Sequence, residues 1–189
     1  MREAKSKYVI LGMLSIRPMS GYDIKKGIEE SISNFWTESY GQIYPMLKSL
    51  VAQKLVTKTV ERGSGKPDRH VYALTEQGRR ELRRWLTEGV VPKVERNELL
   101  LKLFFGEEVE TAANIELVEQ YREHQRQLLE KYKVIEKEIK ARYADDSNLP
   151  YWLTTVSYGQ HVTQALLRWC EETLTKLHRM AKSSRRMNT

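Results

Sequence analysis

The chain of 189 residues is 40% apolar and 30% charged, so it can form the cores of one or two small domains, and it has neither a run of 18 apolar residues nor a secretory signal pattern. Its single cysteine, Cys170, excludes an internal disulfide and favours a reducing, cytoplasmic location. The net charge of +7 is uneven, with +6 in residues 1–92 and +1 in residues 93–189, which indicates an anionic partner for the first half.

The first half is predicted to contain four helices and one hairpin, from apolar periodicity, capping-box spacing and turn residues. The elements, in chain order, are helices over Ser6–Ser15, from Ser20 and from Ser39 to about Lys54, strands over Val56–Glu61 and Arg69–Leu74, and a helix after Thr75. This order is typical of a helix-turn-helix followed by a wing. We assign it to residues 1–90 as a DNA-binding domain.

The second half is predicted to be helical throughout. After a joint near Val90 come a short apolar helix over Glu95–Phe105, one long helix, and a final helix over Tyr151–Ala181. Residues 91–181 therefore form a predicted helical, coiled-coil-like domain for dimerisation and effector binding, and residues 182–189 a flexible basic tail. The fold class is mainly α with a small β-hairpin.

The third helix has the features of a DNA recognition helix. Its predicted outward face is small, polar and mildly basic, which lets a helix enter the major groove. Gln42 is predicted either to bond adenine or to cap its own helix, and Pro45 indicates either a later helix start or a bend. The candidate DNA contacts on and near the helices are Ser20, Tyr22, Ser39, Tyr40, Gln42, Tyr44 and Lys48.

Four cations lie on or near the glycine-rich tip of the hairpin, where a wing follows the DNA backbone or enters the minor groove. They are Lys58, Arg62, Lys66 and Arg69. A solvated hairpin that contacts nothing is the alternative interpretation.

The long helix carries a heptad seam with steps of three and four residues. The seam consists of Val118, Tyr121, Gln125, Leu128, Tyr132, Ile135 and Ile139. Because a single helix cannot bury such a stripe alone, the seam predicts a homodimer, with packing on the final helix of the same chain as the alternative. A two-fold dimer predicts a near-palindromic operator with half-sites about 10 base pairs, or a multiple, apart.

A pocket for a small aromatic acid is a further hypothesis, although these side chains also suit an ordinary core. Its candidate residues are Trp36, Tyr121, Arg122, Trp152, Tyr158 and His161. No metal site, cofactor or enzyme motif is predicted. Two other interpretations remain open: a helical protein-interaction module with an incidental basic surface, and an RNA binder without a visible aromatic platform.

Several segments resemble the PadR family of bacterial transcriptional regulators over about residues 5–180. They are SGYDIKKGI (Ser20 to Ile28), FW (Phe35 and Trp36), GQIYPMLKSLVAQKLV (Gly41 to Val56) and RHVYALTEQGRRELRRWL (Arg69 to Leu86). The C-terminal half resembles the larger subfamily with a tail related to virulence activators. The resemblance implies a winged helix-turn-helix homodimer that represses a nearby operon. The regulators that give the family its name respond to phenolic acids. The DNA contacts it implies are Tyr22, Ser39, Gln42, Tyr44, Lys66 and Arg69.

Overall fold

The protein is described by a computed structural model that covers the backbone of residues 3–63, 66–90 and 96–187, and the side chains of residues 5–61, 69–90 and 96–183. The chain divides into two compact units, Met1–Pro92 and Lys93–Thr189. No helix in the described ranges has the length and hydropathy that a membrane span requires.

The first unit contains four helices and a small antiparallel sheet. Its elements are α1 (Glu3–Ile16), β1 (Met19–Ser20), α2 (Gly21–Ser31), α3 (Tyr40–Ala52), β2 (Val56–Gly63), β3 (Lys66–Leu74) and α4 (Glu76–Leu86). The strand order is β1-β3-β2, with Val56 opposite Leu74 and Glu61 opposite Arg69. The sequence predicted the hairpin but not β1, because two residues are too short for strand periodicity.

The core of the first unit is built from the apolar faces of its helices. Leu11 on α1, Ile24 and Ile28 on α2, and Ile43 and Leu47 on α3 are fully buried. Ile24 and Ile28 lie one helical turn apart, so both point to the same side of α2. The three helices and the sheet therefore share one core, and the opposite face of α3 is left to solvent.

The second unit is formed around two long antiparallel helices. Its elements are α5 (Glu98–Phe104), a short 3-10 turn (Gly106–Glu108), α6 (Thr111–Arg142) and α7 (Leu149–Met187). Near the loop Tyr143 packs edge-on against Trp152, and at the far end Tyr121 packs against Trp169. Midway, a Cβ on Gly159 would lie 2.3 Å from the Tyr132 ring, so only glycine leaves room for that ring.

Two predicted boundaries in the second unit change. α5 begins at Glu98, where the Asn97 side chain accepts from the Leu100 N–H at 3.1 Å, rather than at residue 95, which lies outside the described residues. α7 continues to Met187, past the predicted end at Ala181, so the backbone of residues 182–187 is helical, and the flexibility predicted for residues 182–189 stays a prediction. Asn188 and Thr189 lie outside the described residues.

Candidate nucleic-acid interface

The start of α3 is fixed by its own side chains. Gln42 Oε1 accepts from the backbone N–H of Ser39 and from the Ser39 hydroxyl, both at 2.9 Å. This is the capping-box pairing that the spacing predicts. The helix begins at Tyr40 and continues through Pro45, so it does not start after the proline. Of the two roles predicted for Gln42, the structure shows the capping one.

The two sides of α3 differ in the way that groove entry requires. Ile43, Leu47 and Leu50 are fully buried, whereas Gly41 and Lys48 are exposed. The exposed side also carries Gln42, Pro45 and Ser49. A face of small and polar side chains with one cation is compatible with the width of the major groove and with hydrogen bonding to base edges.

Three tyrosines lie on or beside α3. Tyr40 and Tyr44 stack with ring centroids 6.1 Å apart, and Tyr44 remains 48% exposed. A Cβ on Gly21 would lie 2.6 Å from the Tyr44 ring, so the glycine lets the ring sit against the start of α2. Tyr22 is 60% exposed on the first turn of α2. These exposed rings leave Tyr22 and Tyr44 available for contacts with DNA phosphates.

Ser20 has the capping role that its three-residue spacing to Asp23 predicts. It is buried, and its hydroxyl donates to Asp23 Oδ2 at 2.7 Å and accepts from the Asp23 N–H at 3.2 Å. The Ser20 N–H also donates to the same carboxylate oxygen at 2.9 Å. The structure therefore shows Ser20 as the cap of α2, and its predicted contact with DNA stays a prediction.

The wing cations divide into three cases. Lys58 on β2 is exposed, and it forms no ion pair with any described side chain. The Arg69 guanidinium forms an ion pair with Asp23 of α2, which the sequence did not predict. Arg62 and Lys66 lie on the strands, but their side chains are outside the described residues, so their predicted contacts remain predictions.

A buried carboxylate without a sequence signal, that of Glu38, precedes α3. Glu38 Oε1 accepts from the Ser6 hydroxyl at 2.6 Å and from Trp36 Nε1 at 2.8 Å. The contact ties α1 to the loop immediately before Ser39, the first residue of the α3 cap. It also gives Trp36 a structural partner. A lone acidic residue in a predicted loop offers no sequence signal for such a role.

The predicted seam packs largely within its own chain. Val118, Gln125 and Tyr132 are buried, and Val118 shares a cluster with Cys170 and Leu174 of α7. The remaining members are only partly buried: Tyr121, Leu128, Ile135 and Ile139. Packing on the final helix, the predicted alternative, therefore accounts for Val118 and, through Gly159, for Tyr132.

The predicted effector residues of the second unit do not converge on one pocket. Tyr121 contacts Trp169, whereas Trp152 contacts Tyr143, the C-cap of α6. The two tyrosines are 22 residues apart, or roughly 33 Å at 1.5 Å per residue. Arg122 is partly buried, while Tyr158 and His161 are exposed on α7. One small aromatic acid cannot span that distance. Within the described ranges, no three metal-ligating side chains cluster either.

Each half of the chain matches the model of a known protein family. Residues 10–84 match the transcriptional regulator PadR-like family, and residues 95–178 match the virulence activator alpha C-terminal family. The negative transcriptional regulator PadR of Bacillus subtilis is 38% identical over 101 residues, which cover 52% of this chain and 55% of that protein. The chain thus spans about half the length of the curated relatives it matches.

Several solved structures resemble this chain over at least 90% of its length. The crystal structure of B. subtilis PadR in complex with operator DNA has a TM-score of 0.80 at 25% identity, covering 90% of this chain and 98% of that one. The same regulator in complex with p-coumaric acid has a TM-score of 0.74 at 24% identity, covering 91% and 94%. The Vibrio cholerae virulence activator AphA has a TM-score of 0.72 at 30% identity, covering 93% and 99%. The chain belongs to the PadR family of transcriptional regulators.

Proposed function

We propose that this regulator is a repressor that binds a near-palindromic operator as a homodimer in the bacterial cytoplasm. One observation carries the proposal: α3 buries Ile43, Leu47 and Leu50 completely and presents Gly41 and Lys48 to solvent. The relatives add support, because B. subtilis PadR is named a negative regulator and has been crystallised with operator DNA. Residues 1–90 are the proposed DNA-binding domain and residues 91–181 the proposed dimerisation domain.

The proposed base and phosphate contacts are the exposed polar residues of this surface. They are Tyr22, Ser39, Tyr40, Gln42, Tyr44, Lys48 and Lys58. Arg62 and Lys66 remain proposed contacts from the sequence and the family resemblance alone. Lys58 carries a charge that no described acidic side chain neutralises, so it is the clearest phosphate ligand of the described wing.

Uncovered apolar surface supports the homodimer. At least half of each apolar side chain is exposed at four positions on α5 and its C-cap: Leu100, Leu101, Phe104 and Phe105. On α6, Leu128, Ile135 and Ile139 are only partly buried within one chain. Exposed large apolar side chains that cluster in sequence are often covered by a partner, and we propose that the partner is a second copy of the chain.

Release by a small aromatic acid is the part of the proposal that rests on the relatives, since B. subtilis PadR has been crystallised with p-coumaric acid. Because the candidate residues of one second unit lie far apart, we propose at most a subset of them for each bound molecule. Calorimetric titration with p-coumarate checks this directly. Binding with loss of operator affinity supports release, and no heat at millimolar ligand excludes p-coumarate as the effector.

Footprinting on the promoter next to the protein's own coding region tests the proposed function as a whole. We expect protection of two symmetric half-sites whose centres lie about 10 base pairs, or a multiple, apart. A reporter fused to that promoter should then be more active when the regulator is deleted. Salt-insensitive protein binding without any protection of DNA would favour an interaction module instead.

A further inference from the structure

One ion pair connects the wing to the helix-turn-helix. The guanidinium of Arg69, on β3, pairs with Oδ2 of Asp23, in the first turn of α2. The same carboxylate oxygen accepts from the Ser20 N–H at 2.9 Å and from the Ser20 hydroxyl at 2.7 Å. Asp23 is therefore shared between the cap of α2 and the wing, 46 residues further along the chain.

Nearby carboxylates compensate the positive charge of Arg69. The Asp23 side chain is 19% exposed and the Arg69 side chain 53% exposed, so the pair lies at the surface with its carboxylate mostly covered. Glu61 lies directly opposite Arg69 in the β2–β3 register. A phosphate that approached Arg69 would therefore also approach two carboxylates, and the local sum of these three charges is negative.

The Asp23 carboxyl is held in its charged form. Partial burial alone would raise its pKa, but the hydrogen bonds from Ser20 and the hydrogen bond and charge of Arg69 lower the pKa of Asp23 below its ordinary value. An acidic group at the start of α2 also interacts favourably with the helix dipole. The pair is consequently formed throughout the neutral pH range.

We infer that Arg69 is a positioning residue that latches the wing to α2 through Asp23, and that it is not one of the phosphate contacts. The inference rests on the proposed DNA-binding function and changes the role that the family resemblance implies for Arg69. It also gives Asp23 a second role besides capping α2, which is to hold the wing through Arg69. The phosphate contacts of the described wing then come from Lys58.

The salt dependence of binding to a duplex of unrelated sequence distinguishes a latch from a contact. Each phosphate contact contributes about 0.9 to the slope of log K against log salt. Lys58→Ala should flatten the slope by about that amount, whereas Arg69→Ala should leave it unchanged. Asp23→Asn keeps an oxygen acceptor for Ser20 but frees Arg69, so it should steepen the slope by about 0.9. The double variant, Asp23→Asn with Arg69→Ala, should return to the Arg69→Ala slope.

Amide hydrogen exchange without DNA provides a second readout. Arg69→Ala and Asp23→Asn should each raise exchange in β3 and in the first turn of α2 by a similar factor, and the double variant should raise it no further than either single change. Arg69→Gln replaces Arg69→Ala if the alanine variant does not fold.

Two results would overturn the latch. One is that Arg69→Ala flattens the salt slope as much as Lys58→Ala does, and the other is that amide exchange is unchanged in both single variants. Failure of the wild-type protein to bind any DNA would instead count against the proposed function, and the exchange data would still decide the latch.

Discussion

At the residue scale, Gln42 combines a capping role that the structure shows with a DNA contact that we propose. Its Oε1 already accepts two hydrogen bonds from Ser39, so both lone pairs are used. The Nε2 amide remains as the group that can face DNA. A bidentate contact with adenine needs both atoms, whereas a single donor suits purine N7, guanine O6 or thymine O4. The geometry therefore favours an acceptor on the major-groove edge as the partner of Gln42.

Replacing Gln42 by glutamate separates these two roles. In Gln42→Glu a carboxylate oxygen replaces the amide oxygen that accepts from Ser39, so the cap is kept. The free energy of unfolding should therefore change by less than about 0.5 kcal/mol. The same change removes the donor and places a negative charge against DNA, so operator affinity should fall at least tenfold. Thermal unfolding and a fluorescence-anisotropy titration measure the two effects. Unchanged affinity in a stable Gln42→Glu variant would remove Gln42 from the interface.

Local patterns in the sequence predicted part of the site but not its long-range contacts. The capping pairs of Ser20 with Asp23 and of Ser39 with Gln42 follow from a three-residue spacing, because both partners lie in one helical turn. The pair of Asp23 with Arg69 depends on how the wing folds back on α2. Nothing in the spacing of residues 46 positions apart reveals such a contact.

At the element scale, a charged cluster joins α4 to α1. Glu81 of α4 accepts from Lys7 Nζ at 2.8 Å and from the Tyr8 hydroxyl at 3.2 Å, both on α1. Arg84 Nη2 donates to the same carboxylate at 2.9 Å. Hydrogen bonds from Arg84 and Lys7 lower the pKa of Glu81 to about 2, although burial acts in the opposite direction. The first helix is thereby fixed to the helix that follows the wing, beside the stacked rings of Tyr8 and Trp85.

The Glu81 cluster predicts a specific pH dependence of stability. Because the folded-state pKa lies below the ordinary value of about 4.3, the stabilisation is complete above that value and is lost as pH falls toward 2. Glu81→Gln should therefore destabilise the protein by about 1 kcal/mol at pH 7 and by almost nothing near pH 2. Urea denaturation at both pH values checks the difference.

Glu88→Gln is the matched control for this prediction. Glu88 contacts the same Arg84, at 2.5 Å, but it is more exposed and reaches no residue of α1 in the described structure. We expect Glu88→Gln to change the free energy of unfolding little at either pH. An equal loss of stability at pH 7 and near pH 2 in Glu81→Gln would show that the cluster does not stabilise the fold through the Glu81 charge.

Periodicity predicted the helices better than it predicted their partners. The seven-residue repeat of α6 located the helix correctly, because burial along one face imposes that spacing whatever covers the face. Gly159 and Cys170 on α7 show that a helix of the same chain covers Tyr132 and Val118. A sequence pattern predicts that an apolar stripe is buried, but only the tertiary structure shows which element covers it.

At the scale of the whole molecule, the proposed dimer needs surface that one chain leaves uncovered. Leu128 and Ile135 are partly buried members of the α6 stripe, and Val134 is exposed on another side of the same helix. A second copy that packs on the stripe would bury Leu128 and Ile135 further but leave Val134 in water. These positions therefore test the dimer independently of DNA.

Leu128→Glu combined with Ile135→Glu should convert the dimer to a monomer, because two unpaired charges would be buried at the interface. Val134→Glu is the matched control and should leave the dimer intact. Sedimentation velocity gives the mass, and circular dichroism checks that α6 and α7 stay helical. A folded double variant that still sediments as a dimer would show that copies associate through another surface, such as the exposed face of α5.

The proposed function requires that the exposed side of α3 enters the major groove, and cleavage of DNA from a reagent tethered to that side tests this. An iron chelate attached to Lys48→Cys should label only the new thiol, because the one native cysteine, Cys170, is buried. We predict hydroxyl-radical cleavage of operator DNA confined to a few base pairs in each half-site, and none when the wild-type protein is treated with the same reagent, because its Cys170 is buried. Operator that stays bound but uncut by the Lys48→Cys conjugate would contradict the account.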